Sequence, residues 1–226
     1  IAWSSRALDL AWRCKAPAFI LTDKTLSNGM YSTDLSPHDL PVFGREGREA
    51  VERPYQRYAD TPSGVSPPAF PGTEGAVVKV NSYTHDESGI TTEDGEVTAQ
   101  MTKKRLRKAE TLKKSLDAYQ QVVVSGTPDA ATAVLCWGSC GGVCTEAGTR
   151  LGLRVIRPVV LEPFPKSPLE AVLTGATKII AVEENATAQL AGLAQENGIR
   201  VHDTVLRYDG RPFTPEDLIL RLREVI

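Results

Sequence analysis

Two hydrophobic rhythms run along this chain, separated by a long stretch that keeps neither. Near the beginning, Ser4 and Ser5 precede Ala7, Leu8, Ala11 and Trp12, an apolar stripe at helical spacing behind a serine cap. The Ala16-Pro17 step ends that helix, because a residue before proline is pushed out of the α region. Pro17-Ala18-Phe19-Ile20-Leu21-Thr22 then reads as a short, almost continuously apolar strand, the pattern of a sheet covered on both faces. Residues 24–75 hold seven prolines and six glycines and keep no period, which predicts a long loop-rich connector. Its Tyr55, Tyr58 and Phe70 are too aromatic for a free tether and predict that it packs along a protein surface.

Beyond the connector, Ala76–Val80 predicts a strand. Residues 94–118 predict a long helix with Val97, Met101, Leu106, Leu112, Leu116 and Tyr119 on one stripe. Lys103, Lys104, Arg105, Arg107, Lys108, Lys113 and Lys114 fall on its polar side. From Ala131 the two rhythms alternate. Strands are predicted at 133–137, 153–156, 178–183 and 204–208. Helices are predicted from Gly138-Ser139 to about Leu151, from Ser167-Pro168, from Ala186 to Glu196, and from Thr214-Pro215 onward. That alternation predicts an α/β fold: an open, mainly parallel sheet with helices on both faces.

Composition narrows the function classes. The 226 residues are 41% hydrophobic and 24% charged, which excludes a disordered chain. A net charge of −2 argues against nucleic acid and membrane surfaces as partners, since either needs a basic excess. The chain opens on Ile1 with no initiator Met and no secretory leader, so its start is expected to lie inside a longer polypeptide. Cys14, Cys136, Cys140 and Cys144 are too few and too bunched for a disulfide scaffold and point to a reduced, cytoplasmic setting.

Several segments carry candidate chemistry. Cys136, Cys140 and Cys144 are spaced four apart, as in a metal site, but no fourth Cys or His lies near. A strand followed by a helix is expected to spread the three thiols, which leaves them as small buried side chains. The Gly138-Ser139 turn could cradle a phosphate at a helix N-terminus, or simply let helix and sheet pack closely. It lacks the glycine spacing and the lysine of phosphate-binding loops. His85-Asp86-Glu87 with Gly89 follows a predicted strand, where α/β proteins place ligands; imidazole beside carboxylates suits acid–base work or a metal, and Asp-Glu-Ser-Gly also suits a plain turn. Glu183, Glu184 and Asn185 end another strand at the same kind of edge. The basic run 103–108 reads as a solvated face that could dock a partner subunit. His38 and His202 read as structural.

Read in order, these pieces resemble a known family. They are Phe19-Ile20-Leu21-Thr22-Asp23-Lys24; Gly64-Val65-Ser66-Pro67 ahead of Phe70-Pro71-Gly72; His85-Asp86-Glu87 with Gly89; Thr92-Glu93-Asp94; Met101 with Lys104-Arg105; Val182-Glu183-Glu184-Asn185 with Gln189; and Tyr208 to Thr214. The ordered set is similar to the alpha subunits of 2-oxoacid:ferredoxin oxidoreductases, nearest the 2-oxoglutarate branch. Two positions depart from that pattern: Thr84 where a Glu usually precedes the His, and Pro68 where an Arg usually follows Gly-Val-Ser-Pro. The resemblance implies an enzyme subunit that decarboxylates a 2-oxoacid, with thiamine diphosphate, magnesium and an iron–sulfur cluster in the full complex. The acyl group passes to coenzyme A and the electrons to ferredoxin, and a beta subunit is the partner. It also implies that residues 1–25 are the tail of a pyrimidine-binding domain, 26–75 a connector, and 76–226 a domain like the transketolase C-terminal one. No catalytic, cofactor or metal residue is expected in this segment, which alone should be inactive; its expected role is assembly and framing of the active site. The alternative is an α/β interaction domain used for assembly alone.

Overall fold

The helical stripe at the start forms α1 (Ala2–Cys14), which buries Asp9, Leu10 and Cys14 and closes an ion pair between Arg13 Nε and Asp9 Oδ2 at 2.7 Å. The structure, a computed structural model, describes residues 2–30, 32–34, 36 and 51–226. His38 and the connector residues 37–50 lie outside the described residues. The predicted strand at 17–22 does not form. Phe19 and Leu21 are 83% and 75% exposed. A strand needs a neighbour for its backbone donors and acceptors, and the run pairs with no strand among the described residues. A short helix, α2 (Lys24–Asn28), follows, capped by Asp23 Oδ1, which accepts from Leu26 N at 2.9 Å.

Residues 51–94 are irregular. The strand expected at 76–80 is absent for the same reason: Val77 and Val80 are exposed, and a single isolated bridge joins His85 to Thr91. The long helix does form, as α3 (Gly95–Leu116), with Asp94 Oδ1 accepting from Val97 N at 2.9 Å. Its buried face is Met101, Lys104 and Leu116, whereas Leu106 is 64% exposed. The predicted stripe is therefore corrected: a lysine stands inside where a leucine was expected. Gly64 (φ +73°) lies against α3, and a side chain there would collide with the backbone at Lys104 and Lys108.

The second half builds one five-stranded sheet: β1 (Val122–Gly126), β2 (Thr132–Cys136), β3 (Arg154–Pro158), β4 (Lys178–Glu183) and β5 (Asp203–Leu206), in spatial order β1-β3-β2-β4-β5. β3, β2, β4 and β5 are parallel, and β1 is an antiparallel edge strand on β3. Successive side chains point to opposite faces. Ala133, Leu135, Ile156, Ile179 and Ala181 meet α5 (Lys166–Leu173) and α6 (Gln189–Glu196). Val134, Cys136, Val155, Ile180, Val182 and Val205 meet α4 (Cys140–Leu151) and α7 (Pro215–Arg223). Burial on both faces explains why these strands read as unbroken apolar runs.

The chain divides into two compact units, residues 1–21 with 32–118 and residues 22–31 with 119–226. The main segment of the sheet-bearing unit is 119–226, and α3 groups with α1. No helix among the described residues is long and apolar enough to cross a membrane.

Candidate functional site

In the sheet-bearing unit, the chain leaves β2 to one side to form β3, then crosses back to form β4 on the other side. That reversal marks the edge outside the carboxyl ends of β2 and β4, the position where open α/β sheets bind ligands. Trp137-Gly138-Ser139 and Glu184-Asn185 supply its two rims. Glu184 bridges them: one carboxylate oxygen accepts from Ser139 Oγ at 3.3 Å and the other from Phe213 N at 3.1 Å. Asp23 enters from the 22–31 segment of the same unit, its Oδ2 accepting from Ser139 N at 3.1 Å. An amide that a phosphate would use at the start of α4 is therefore engaged by the chain's own carboxylate. The phosphate reading of the Gly138-Ser139 turn loses ground accordingly. Burial raises the Asp23 carboxyl, but hydrogen bonds from the Ser139 hydroxyl and from backbone amides at Leu26, Ser139 and Thr25 outweigh it and leave it below its ordinary value.

Glu183 is fully buried. It accepts from Leu190 N at 2.8 Å, Ala191 N at 2.9 Å and Asn185 Nδ2 at 2.7 Å. Asn185 Oδ1 in turn accepts from Thr187 N at 3.1 Å and Gln189 N at 3.3 Å. Together the two side chains bind the free donors at the start of α6, where a carboxylate is favoured by the helix dipole.

The three thiols come together rather than spreading, a correction to the expectation from spacing. Helix α4 covers the very sheet face that carries Cys136, so Cys136, Cys140 and Cys144 share one apolar cluster with Val134, Ala147 and Leu218. Burial, with the nearby Glu184 charge, pushes the Cys140 thiol up to about 12. A hydrogen bond to Cys136, together with burial, pushes the Cys144 thiol up further. Raised thiols are poor nucleophiles and poor ligands. Among the described residues no group of three or more His, Cys, Asp or Glu is arranged to hold a metal ion.

His85, Asp86 and Glu87 belong to the other unit, so the two candidate sets are not parts of one sheet edge. Asp86 Oδ1 accepts from Ser88 N and Ile90 N, both at 2.9 Å, which makes the segment a carboxylate-supported turn. The His85 ring stacks on Tyr58 with centroids 3.7 Å apart. Glu87 accepts from Asp60 N at 2.9 Å through its side chain and from Tyr58 N at 2.9 Å through its carbonyl. The parts of Tyr58, Asp60, Ser66 and Lys104 in this arrangement escaped the sequence reading. Ser66 and Lys104 lie in the segments that carry the family resemblance and Tyr58 was marked as a packing aromatic, while Asp60 gave no signal.

Fold and edge together define a doubly wound α/β unit of the kind that binds ligands at a strand-order reversal, carried on the same chain as a helical unit with a long irregular connector. No family model matches the chain. Among curated proteins, subunit alpha of 2-oxoacid:ferredoxin oxidoreductase 1 from Sulfurisphaera tokodaii is 30% identical over 226 residues, covering 97% of this chain and 36% of that subunit. Subunit alpha of 2-oxoacid:ferredoxin oxidoreductase 2 from Aeropyrum pernix is 30% identical over 218 residues, covering 92% of this chain and 33% of that one. Among solved structures, the 2-oxoglutarate:ferredoxin oxidoreductase from Magnetococcus marinus with 2-oxoglutarate, coenzyme A and succinyl-CoA bound superposes with a TM-score of 0.87. It is 27% identical over 99% of this chain and 40% of its own. The chain is homologous, over nearly its whole length, to the alpha subunits of 2-oxoacid:ferredoxin oxidoreductases. It spans about a third of the length of the curated relatives it matches.

Proposed function

We propose that this chain is part of the alpha subunit of a thiamine diphosphate-dependent 2-oxoacid:ferredoxin oxidoreductase, where it frames the active site and carries subunit contacts. In the complete enzyme a 2-oxoacid loses carbon dioxide, its acyl group is transferred to the thiol of coenzyme A, and two electrons leave through an iron–sulfur cluster to ferredoxin. The observation that carries this reading is the joint agreement of fold and sequence with one family across both units. The Magnetococcus enzyme favours 2-oxoglutarate as the substrate.

The described residues of this chain do not fit thiamine diphosphate and its magnesium by themselves. Asp23 already takes an amide at the start of α4, and a second carboxylate, Glu184, stands beside it, which disfavours a diphosphate there. No step is therefore assigned to the cofactor here, and a beta subunit and the remaining alpha residues are its proposed holders. Exposed Phe19, Ile20 and Leu21 support an assembly role, since contiguous apolar surface of this kind marks contact sites. The His85-Asp86-Glu87 turn and the Glu184-Asn185 rim are proposed as positions that face the rest of the complex, with Glu183 fixing the rim from beneath.

The test is to express the full alpha reading frame containing this chain with its beta subunit and follow reduction of ferredoxin. Coenzyme A-dependent reduction is expected with 2-oxoglutarate and much less with pyruvate. A purified alpha–beta complex that is loaded with cofactors yet reduces ferredoxin with no 2-oxoacid would overturn the assignment.

A further inference from the structure

Lys104 is the residue that the helical pattern placed on the wrong side of α3. It is 7% exposed and lies on the inward face with Met101. Its amine donates to Tyr58 O at 2.8 Å and to Ser66 Oγ at 2.5 Å, reaching back 46 and 38 residues along the chain. Ser66 Oγ passes its own hydrogen to Ala59 O at 3.0 Å. The direction of these bonds makes the lysine a donor and the serine a relay, which is the opposite of a lysine base activating a serine nucleophile.

The two acceptors bracket the strip 58–66, and that strip is also tied on its far side. Tyr58 N donates to Glu87 O at 2.9 Å, the Tyr58 hydroxyl accepts from Asn81 N at 3.1 Å, and the ring stacks on His85. Asp60, next along the strip, pairs with Arg107 one turn further on α3. Gly64 allows the strip to lie flush on the helix backbone, where any side chain would collide. Three of the segments that carry the family resemblance, those around Ser66, His85 and Lys104, thus meet through one amine and one tyrosine.

We propose that Lys104 is a positioning residue whose amine clasps residues 58–66 to α3 and, through Tyr58, sets the place of the His85–Gly89 turn. This inference stands apart from the catalytic assignment and holds whatever substrate the complex takes.

The charges around the amine fit that role. Burial first, then the neighbouring Lys108 and Arg57, outweigh the opposing Asp60 and Glu87 and lower it from the ordinary 10.5 to about 8. Below about 8 the amine is charged in both folded and unfolded chains, and the folded one carries the full cost of burying that charge. Between about 8 and the ordinary 10.5 the folded chain has released the proton and the unfolded chain still holds it. The folded chain is therefore favoured over the unfolded one as pH rises through this window. The neutral amine keeps two hydrogens for its two acceptors.

The experiment is hydrogen exchange on the full 226-residue chain, comparing wild type with Lys104→Met, Ser66→Ala, the double variant, and Lys103→Met as an exposed control. Lys104→Met should speed exchange at amides 57–66 and 85–91 by about tenfold or more while the strands β2 and β4 keep wild-type protection. Ser66→Ala should loosen the same amides to a smaller degree and add nothing on top of Lys104→Met, and Lys103→Met should change none of them. Unchanged protection at 57–66 and 85–91 in Lys104→Met overturns the proposal. So does uniform loosening of α1, α3 and the strip together, which is the behaviour of an ordinary core residue. Should Lys104→Met fail to fold, Ser66→Ala with wild-type protection in both segments overturns it alone.

Discussion

Glu183 shows how a candidate ligand can be spent on the fold. Three donors converge on its carboxylate, two of them backbone amides at the start of α6. Removing the acceptor leaves buried donors unsatisfied, which costs about 1–3 kcal/mol for such a group. Glu183→Ala is expected to destabilise the chain by about 2–4 kcal/mol, with Glu183→Gln costing roughly half as much because one acceptor survives. Urea unfolding measures both, and equal midpoints for wild type and Glu183→Ala would show that α6 does not depend on this cap. The cysteines follow similar logic. All four are free and buried, and those on α4 are raised by burial and by neighbours. None should react with an aromatic disulfide reagent at neutral pH on the time scale of minutes, and all should react after unfolding. Fast labelling of Cys140 in the folded chain would contradict its burial.

At the scale of elements, the segment 22–31 is held to the sheet-bearing unit by one carboxylate with two tasks. Asp23 caps α2 with one oxygen and takes the Ser139 amide with the other. Its folded value is depressed below the ordinary 3.8, so the stabilisation is complete above that value and is lost as pH falls through the folded one. Exchange protection across 22–30 is expected to hold from neutral pH down to about 4 and to collapse below it, ahead of the central strands. In Asp23→Asn that acid step should be missing and the segment looser at every pH. An identical acid profile in Asp23→Asn would remove Asp23 from this role. The apolar run just before it, Phe19–Leu21, obeys a different rule. It has strand composition and no strand partner among the described residues, and its side chains are left exposed.

For the whole molecule, the two units carry separate pieces of the machinery. One holds the strand-order reversal with Glu183, Glu184 and Asp23 at its edge, and the other holds Lys104 and the His85 turn. Neither presents an assembled cofactor site from its own described residues. The 226-residue chain by itself is therefore expected to show no saturable heat of binding with thiamine diphosphate and magnesium, and no turnover of 2-oxoglutarate. A one-to-one complex of micromolar affinity in calorimetry would mean that the Asp23 contact opens to admit the diphosphate. It would also move the cofactor role into this segment.

The parts of this protein that were legible in its residues are those decided by local pattern. Ala133–Cys136 and Ile179–Val182, the cores of β2 and β4, are apolar on every position because both sheet faces are covered, and a period-free apolar run of that length leaves little else to form. Asp94 and Thr214-Pro215 mark helix starts through donors that lie within three residues, so their spacing shows. The edge strand β1 escaped the reading, since an antiparallel strand on a parallel sheet is set by pairing with β3 and not by its own short run. What only the tertiary structure decided is every feature that depends on a distant partner. Lys104 turns inward because Tyr58 and Ser66 arrive to satisfy its amine, Cys136 meets Cys144 because α4 folds over its face, and Asp23 reaches Ser139 across 116 residues. Residue pattern encodes which face of an element is apolar. Which polar group is brought to that face is settled only when the chain closes on itself.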